Sequence, residues 1–345
     1  MPIEYRKDNG ELVWVRNPFT GTVTYFTHLH KKRSGFARRT RDELVRGARV
    51  DHATAAAHLR QELEAAQRTC PFCPGNEDRT PPEVLRVAAR TVFSERRDAD
   101  WLIRAVPNLI PRIPECCTGG RNESYVVIED RRHFADNPQR HEDLLYSALL
   151  PLPHFQALLA ADVDVARLAY SNPAVRAVLI RKNQGHESGA SQPHLHNQVI
   201  GSDIPFPAVQ REREVTAGTP RIWEELVSFA RGHGFVIEER NDCYAYFCPF
   251  GVFPHSYEVV CLRDWGRVAD VPQQRWQTFA AVLHNVLNLL GPIPLDYEIH
   301  EGPEVPLHAH VNARHFPYSN IGGTLNLPTH LAASAGLVRS ARAES

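Results

Sequence analysis

Residues 11 to 27, ELVWVRNPFTGTVTYFT, alternate apolar and polar positions around a Gly turn, the pattern of a β-hairpin. Residues 41 to 68 are rich in Ala, Arg, Glu and Leu at helical spacing and predict an amphipathic helix leading into the loop CPFCPGNEDRTPPE. Two strand-like runs follow, WLIRAVPNLIPRI and SYVVIED. The stretch HEDLLYSALLPLPHFQALLAADVDVARLA is mostly helical, with Pro151 and Pro153 expected to break or kink it. VRAVLIRKN reads as a buried strand. A Gly/Ser turn then opens SGASQPHLHNQVIG, Ser188 to Gly201, where alternation puts His194, His196 and Gln198 on one strand face.

The second half repeats this order. Tyr244 to Trp265, YAYFCPFGVFPHSYEVVCLRDW, parallels the first half's strand, proline-bracketed turn and strand. PQQRWQTFAAVLHNVLNLL supplies an amphipathic helix, and DYEIHEGPEVPLHAHVNARH stands where the histidine segment stood. His308, His310 and Asn312 fall at the positions of His194, His196 and Gln198. An internal duplication of a strand-helix-strand unit is expected. The predicted class is α+β, an antiparallel sheet with flanking helices. Its two halves, residues 1 to 214 and 215 to 345, either pair into one extended sheet or pack face to face.

Composition narrows the function. A chain of 345 residues with 43% hydrophobic and 23% charged positions suits a soluble globular protein with a sizeable core. A net charge of -1 argues against a broad nucleic-acid surface. No run approaches membrane-spanning length, and the first residues lack an apolar leader, so a cytoplasmic protein is expected. In that compartment the seven cysteines read as thiols or metal ligands rather than disulfides. Eighteen histidines, several of them paired, are the compositional anomaly.

Two constellations carry chemistry. Cys70-Pro71-Phe72-Cys73 is a C-x2-C knuckle, half of a zinc site that histidines must complete. The competing readings are buried thiols or a redox pair, though the loop lacks the βαβ context of a redox motif. A lone His196 would pass for a satisfied core histidine. Here it is flanked by His194 and Gln198 and preceded by NQGHESGAS, whose Gly185 and Gly189 allow a backbone turn that can bind an anion. A neutral imidazole beside a phosphate is a nucleophile for phosphorus, and Gln198 can donate to phosphoryl oxygens without acting as a base.

The run from Asn183 through Gly185, Gly189, Ser191, Pro193, His194 and His196 to Gln198 resembles the active-site signature of the galactose-1-phosphate uridylyltransferase family, a branch of the histidine triad superfamily. CPFCPGNEDRTPPE is similar to that family's zinc loop, RAVPNLIPRI to its nucleotide-contacting strand, and NPFTGTVTYFTHLHKKR to its opening hairpin and basic segment. The resemblance covers most of residues 11 to 335. Leu195 and Asn197 stand where the family has proline and glycine, and the segment from Ser34 to Thr69 is longer than usual.

The resemblance implies a duplicated histidine-triad-like fold in which His196 becomes nucleotidylated. Gln198 and Ser191 would hold phosphoryl oxygens, Asn183 would contact nucleotide phosphates, Asn108 the nucleoside, and Arg33 a substrate phosphate, with Gly189 also in the substrate site. Cys70, Cys73, His133 and His194 would hold a structural zinc with no open position. A second metal, iron or zinc, is implied at His300, His308 and His310 with a glutamate, Glu212 in preference to Glu214. A hydrogen-bonded histidine cluster bracing the two halves is the alternative.

The expected function is that of a nucleotidyltransferase. It would move a nucleoside monophosphate between a nucleoside diphosphate sugar and a sugar 1-phosphate, as a homodimer with no nucleic-acid or membrane partner. A phosphorylase using inorganic phosphate, a hydrolase, and an inactive nucleotide-binding scaffold are the rivals. The scaffold is disfavoured because His196 and Gln198 are both present.

Overall fold

The computed structural model describes residues 3–25, 56–96, 100–139, 143–251, 253, 255–314, 320–321 and 325–326. Arg33, most of the basic segment and the first part of the expected helix over 41 to 68 lie outside them. Strands β1 (Tyr5–Asp8), β2 (Glu11–Arg16) and β3 (Val23–Tyr25) form the N-terminal part of a five-stranded sheet. Between β2 and β3 the Asn17 amide donates to the Thr22 carbonyl at 2.8 Å, and Gly21 takes a positive φ of 74° to close the turn. Helix α1 (Ala56–Thr69) then delivers the chain to the Cys70 loop.

The body of the protein is a ten-stranded sheet whose pairings are all antiparallel. Its first strands are β4 (Leu85–Ala88), β5 (Trp101–Pro107), β6 (Ser124–Ile128), β7 (Ala177–Gln184) and β8 (His196–Ser202). The others are β9 (Val236–Arg240), β10 (Cys243–Phe247), β11 (Ser256–Gly266), β12 (Leu295–His300) and β13 (Gly302–Ala313). Their spatial order is β4-β5-β6-β8-β7-β12-β13-β11-β10-β9, with β7 paired to β12 at the centre. The strands β14 (Asn320–Ile321) and β15 (Leu325–Asn326) return to the small sheet, where β15 runs parallel to β3.

Of the helices, α2 (Ala89–Val92) is a single turn, α3 (Leu152–Tyr170) and α6 (Gln273–Leu290) are long, and α4 (Pro207–Gly218) and α5 (Ile222–Gly232) lie between them in the chain. The prolines expected to kink the first long helix instead begin it. Pro151 caps α3 and Pro153 sits in its first turn, where a missing N–H costs no helical bond. Phe155, Leu158, Leu159, Val163 and Ala166 bury one stripe of α3, while Trp276, Phe279, Leu283, Val286 and Leu290 do the same on α6. The two helices pack on each other and on one face of the sheet. On the opposite face α4 packs against β13, and the strands of the first half are left for chemistry.

One expectation about the cysteines is corrected. Cys243 and Cys261 form a disulfide rather than remaining thiols. They are direct register partners on β10 and β11, with Cα atoms 4.0 Å apart, so strand pairing alone brings the sulfurs together. Among the described residues no helix is long and apolar enough to cross a membrane.

Candidate active site and metal centres

β8 is a central strand, hydrogen-bonded to β6 on one side and β7 on the other. It begins at His196, so His194 lies just ahead of the strand rather than within it. Asn197 and Val199 face the long helices, and His196 and Gln198 face the free side. There they line a cavity of about 270 Å³ with Phe72, Arg79, Val106, Asn108, Arg112 and Ser191. The family resemblance implied roles for Asn108, Ser191 and Gln198 beside His196, and all four line this cavity. Arg79 and Arg112 were not singled out, although the first lies in CPFCPGNEDRTPPE and the second in RAVPNLIPRI.

His196 is almost fully buried and its orientation is fixed. Its Nδ1–H donates to the His194 carbonyl at 2.8 Å. A carbonyl can only accept, so Nδ1 carries the proton and the lone pair rests on Nε2. Burial, the dominant influence, pushes the His196 pKa down to about 4, while the hydrogen bond to the His194 carbonyl pulls the other way. The imidazole is therefore neutral near pH 7. Phe72 of the cysteine loop meets it edge to face, with ring centroids 5.4 Å apart.

The lead-in turn is built differently from the open anion cradle its glycines suggested. Gly185 and Gly189 both adopt a φ of 81°. A Cβ on Gly185 would lie 2.9 Å from Pro294, so the position also needs glycine for space. The amides of Ser188, Gly189 and Ala190 donate to carbonyls of Gly185 and His186 within the turn. The Asn183 side chain donates to the Ser188 carbonyl at 2.6 Å and accepts from Arg181 at 2.9 Å. Neither Asn183 nor Gly189 lines the cavity. They shape the turn that carries Ser191 to it.

Behind β8 lies a buried polar layer that the sequence did not announce. The Asn197 side chain donates to Asp162 of α3 at 2.6 Å and accepts from the Tyr297 hydroxyl of β12 at 2.9 Å. Lys182, on β7, pairs with Glu129, and both are fully buried with Asp162. Burial raises the pKa values of Asp162 and Glu129 and lowers that of Lys182, each against the pull of its neighbours. Buried polar groups of this kind destabilise a fold when left unpaired, and Asp162 Oδ1 is without a hydrogen-bond partner here.

Next to the cavity the four residues Cys70, Cys73, His133 and His194 converge, all buried, with their ligand atoms within 4.8 Å of one another. The separations are 3.6 Å from Cys70 Sγ to His194 Nδ1, 3.5 Å from Cys73 Sγ to His194 Nδ1 and 3.4 Å from Cys73 Sγ to His133 Nδ1. The edge of a zinc tetrahedron with N and S ligands is about 3.6 Å, so the set fits that metal. His194 Nε2–H donates to the Asp130 carbonyl at 2.8 Å, which leaves Nδ1 as the ligand atom. A hydrogen bond from Cys73, opposed by burial and aided by His133 and His194, holds the Cys70 thiol well below its usual range.

A second buried cluster sits on the same face of the sheet. Glu212 of α4 lies 3.0 Å from His300 Nδ1, 3.3 Å from His308 Nε2 and 3.1 Å from His310 Nε2. Glu214, the other candidate, is exposed and bonded to Gln210. Each imidazole is steadied through its other nitrogen. His308 donates to the Pro306 carbonyl at 2.7 Å, His310 faces Glu258 at 2.7 Å, and His300 lies 3.6 Å from Glu298. His308 Nε2 is buried without a hydrogen-bond partner, the signature expected of a ligand atom. Although burial raises the Glu212 pKa, attraction to His300 and His308 holds it well below the usual range. The donor set of one carboxylate and three imidazoles suits iron or zinc.

Comparison with known proteins agrees with this architecture. An ADP-glucose phosphorylase of Arabidopsis thaliana is 27% identical over 262 residues, 68% of this chain and 68% of the relative. A galactose-1-phosphate uridylyltransferase of Thermotoga maritima is 26% identical over 142 residues, 39% of this chain and 43% of the relative. In three dimensions the crystal structure of an ADP-glucose phosphorylase from Arabidopsis thaliana with bound ADP-glucose superposes with a TM-score of 0.65 at 19% identity, covering 98% of each chain. A uridylyltransferase structure superposes with a TM-score of 0.61 at 18% identity, covering 100% of this chain and 99% of the other. The mixed α/β fold with antiparallel sheets and flanking helices is thus shared with these distant relatives. A family model described as a domain of unknown function, DUF4921, matches residues 112–304, more than half of the chain, and the protein belongs to that family.

Proposed function

We propose that the protein is a nucleotidyltransferase that works through a covalent nucleotidyl-His196. The observation that carries this reading is the fixed tautomer of His196. Its Nδ1–H is held by the His194 carbonyl, and its ring lines the cavity of about 270 Å³ beside Gln198 and Ser191. In the first step Nε2 attacks the α-phosphorus of a nucleoside diphosphate sugar. The bond to the bridging oxygen breaks, and its electron pair leaves with the sugar 1-phosphate. In the second step a phosphate oxygen of the acceptor attacks, the P–N bond breaks, and the pair returns to Nε2. Gln198 donates to the phosphoryl oxygens in both steps. Zinc at Cys70, Cys73, His133 and His194 would tie the cysteine loop to the start of β8 and keep His196 in place.

A sugar 1-phosphate is the acceptor in the first form of this reading. The sequence likeness to an ADP-glucose phosphorylase, which covers 68% of the chain against 39% for the uridylyltransferase, favours a second form in which inorganic phosphate is the acceptor. Counted outward from the β7–β12 boundary, the five strands of each half, beginning with β7 and with β12, follow the same order, which supports a duplicated histidine-triad-like unit. Incubation with a panel of nucleoside diphosphate sugars, read by intact mass, tests the proposal. A retained nucleoside monophosphate is expected, and its mass names the base. Protein that stays unmodified with every donor while turning substrate over would overturn the covalent step.

A further inference from the structure

Gln198 can donate to a phosphoryl oxygen only through its Nε2. A carboxamide turned the other way would present Oε1, which repels the same oxygen. Something must therefore choose between the two orientations. The choice is made by Arg112, which lies on the loop after β5. Its backbone N–H donates to Ser124 Oγ at 2.9 Å, and its Nε–H donates to Gln198 Oε1 at 3.3 Å. A guanidinium has donors and no acceptor, so the atom it faces has to be the carboxamide oxygen. Among the described residues no other hydrogen bond holds the Gln198 side chain, and Arg112 forms no ion pair with a carboxylate.

We propose that Arg112 is a positioning residue that turns the Gln198 carboxamide so that Nε2 faces the phosphoryl group at His196. The proposal rests on the reading of His196 as the nucleophile. Arg112 lines the same cavity as His196, Gln198 and Ser191, so the arrangement is complete before substrate arrives. Its positive charge also lies where negative charge accumulates as the adduct forms. The charge effect alone would not need Gln198. That difference separates the two roles.

The test is a double-mutant cycle on the rate of adduct formation, using intact mass at single turnover. Wild-type protein is measured first, and absence of any adduct there would sink the nucleophile reading itself. Arg112→Ala should slow adduct formation roughly ten- to a hundredfold, the scale of a misplaced catalytic donor. In a Gln198→Ala background the same change should cost less than about twofold, since nothing remains to position. Arg112→Lys, which keeps charge but not the fixed guanidinium geometry, should recover only part of the rate. Losses that multiply across the two backgrounds would show that Arg112 acts on substrate directly and overturn the positioning role. Equal rates for Arg112→Ala and wild type would also overturn it. Arg112 is exposed at the cavity mouth, so melting temperature and zinc content should stay unchanged in both variants.

Discussion

His196 and His194 are joined by a hydrogen bond of 2.8 Å from the Nδ1–H of the first to the backbone carbonyl of the second. The imidazole of His194 meanwhile points its own Nδ1 at Cys70 and Cys73. One residue therefore belongs to the Cys/His cluster with its side chain and sets the tautomer of His196 with its backbone. A disturbance at that cluster should be felt at His196, two residues away.

His196→Ala should remove both the adduct and transfer while leaving the fold intact, because the ring packs at a cavity wall rather than in the apolar core. The check is intact mass beside circular dichroism. A labelled alanine variant would place the nucleophile elsewhere.

Purified protein should hold about one tightly bound zinc at the Cys/His cluster, and Cys73→Ser should lower the melting temperature markedly. A structural metal contributes several kcal/mol or more directly to folding. Elemental analysis beside thermal melts decides it, and folded, active protein free of zinc would refute the claim.

The Glu212 cluster should hold a second metal equivalent. Glu212→Ala should release it and leave the first in place, because the two sets share no residue. If the variant loses no metal, the cluster is a hydrogen-bonded brace between α4 and β12–β13.

The pH profile should reflect the depressed pKa of His196. Its ordinary value is 6.5 and burial takes it to about 4, so the neutral, nucleophilic form persists well below neutrality. Adduct formation should stay level from pH 7 to about 5 and fall as pH drops through about 4. Zinc content measured at each pH separates this loss from release of the metal. A midpoint at 6.5 would mean that His196 is solvated.

Gln198→His should shift the balance from transfer toward hydrolysis, since an imidazole can activate water and a carboxamide cannot. The measured quantity is the ratio of acceptor-dependent to water-dependent release of nucleotide. In the wild type, water prevailing at saturating levels of every acceptor would replace the transferase reading with a hydrolase.

Much of this was determined locally and was therefore legible in the chain. Alternation over YVVI and HNQVIG set which side chains share a face, and helical spacing over α3 and α6 set which stripes are buried. The spacing of Cys70 and Cys73, and of His196 and Gln198, fixed their proximity because backbone geometry fixes neighbours within a few residues. What the chain could not determine was which distant residues meet. Arg112 reaches Gln198 across 86 residues, and Asn197 reaches Asp162 across 35 and Tyr297 across 100. Cys243 and Cys261 join because β10 and β11 pair in one register and not in the next. Contacts of that kind depend on strand order and register, which arise from burying both halves against α3 and α6 at once. Only the packed molecule decides them.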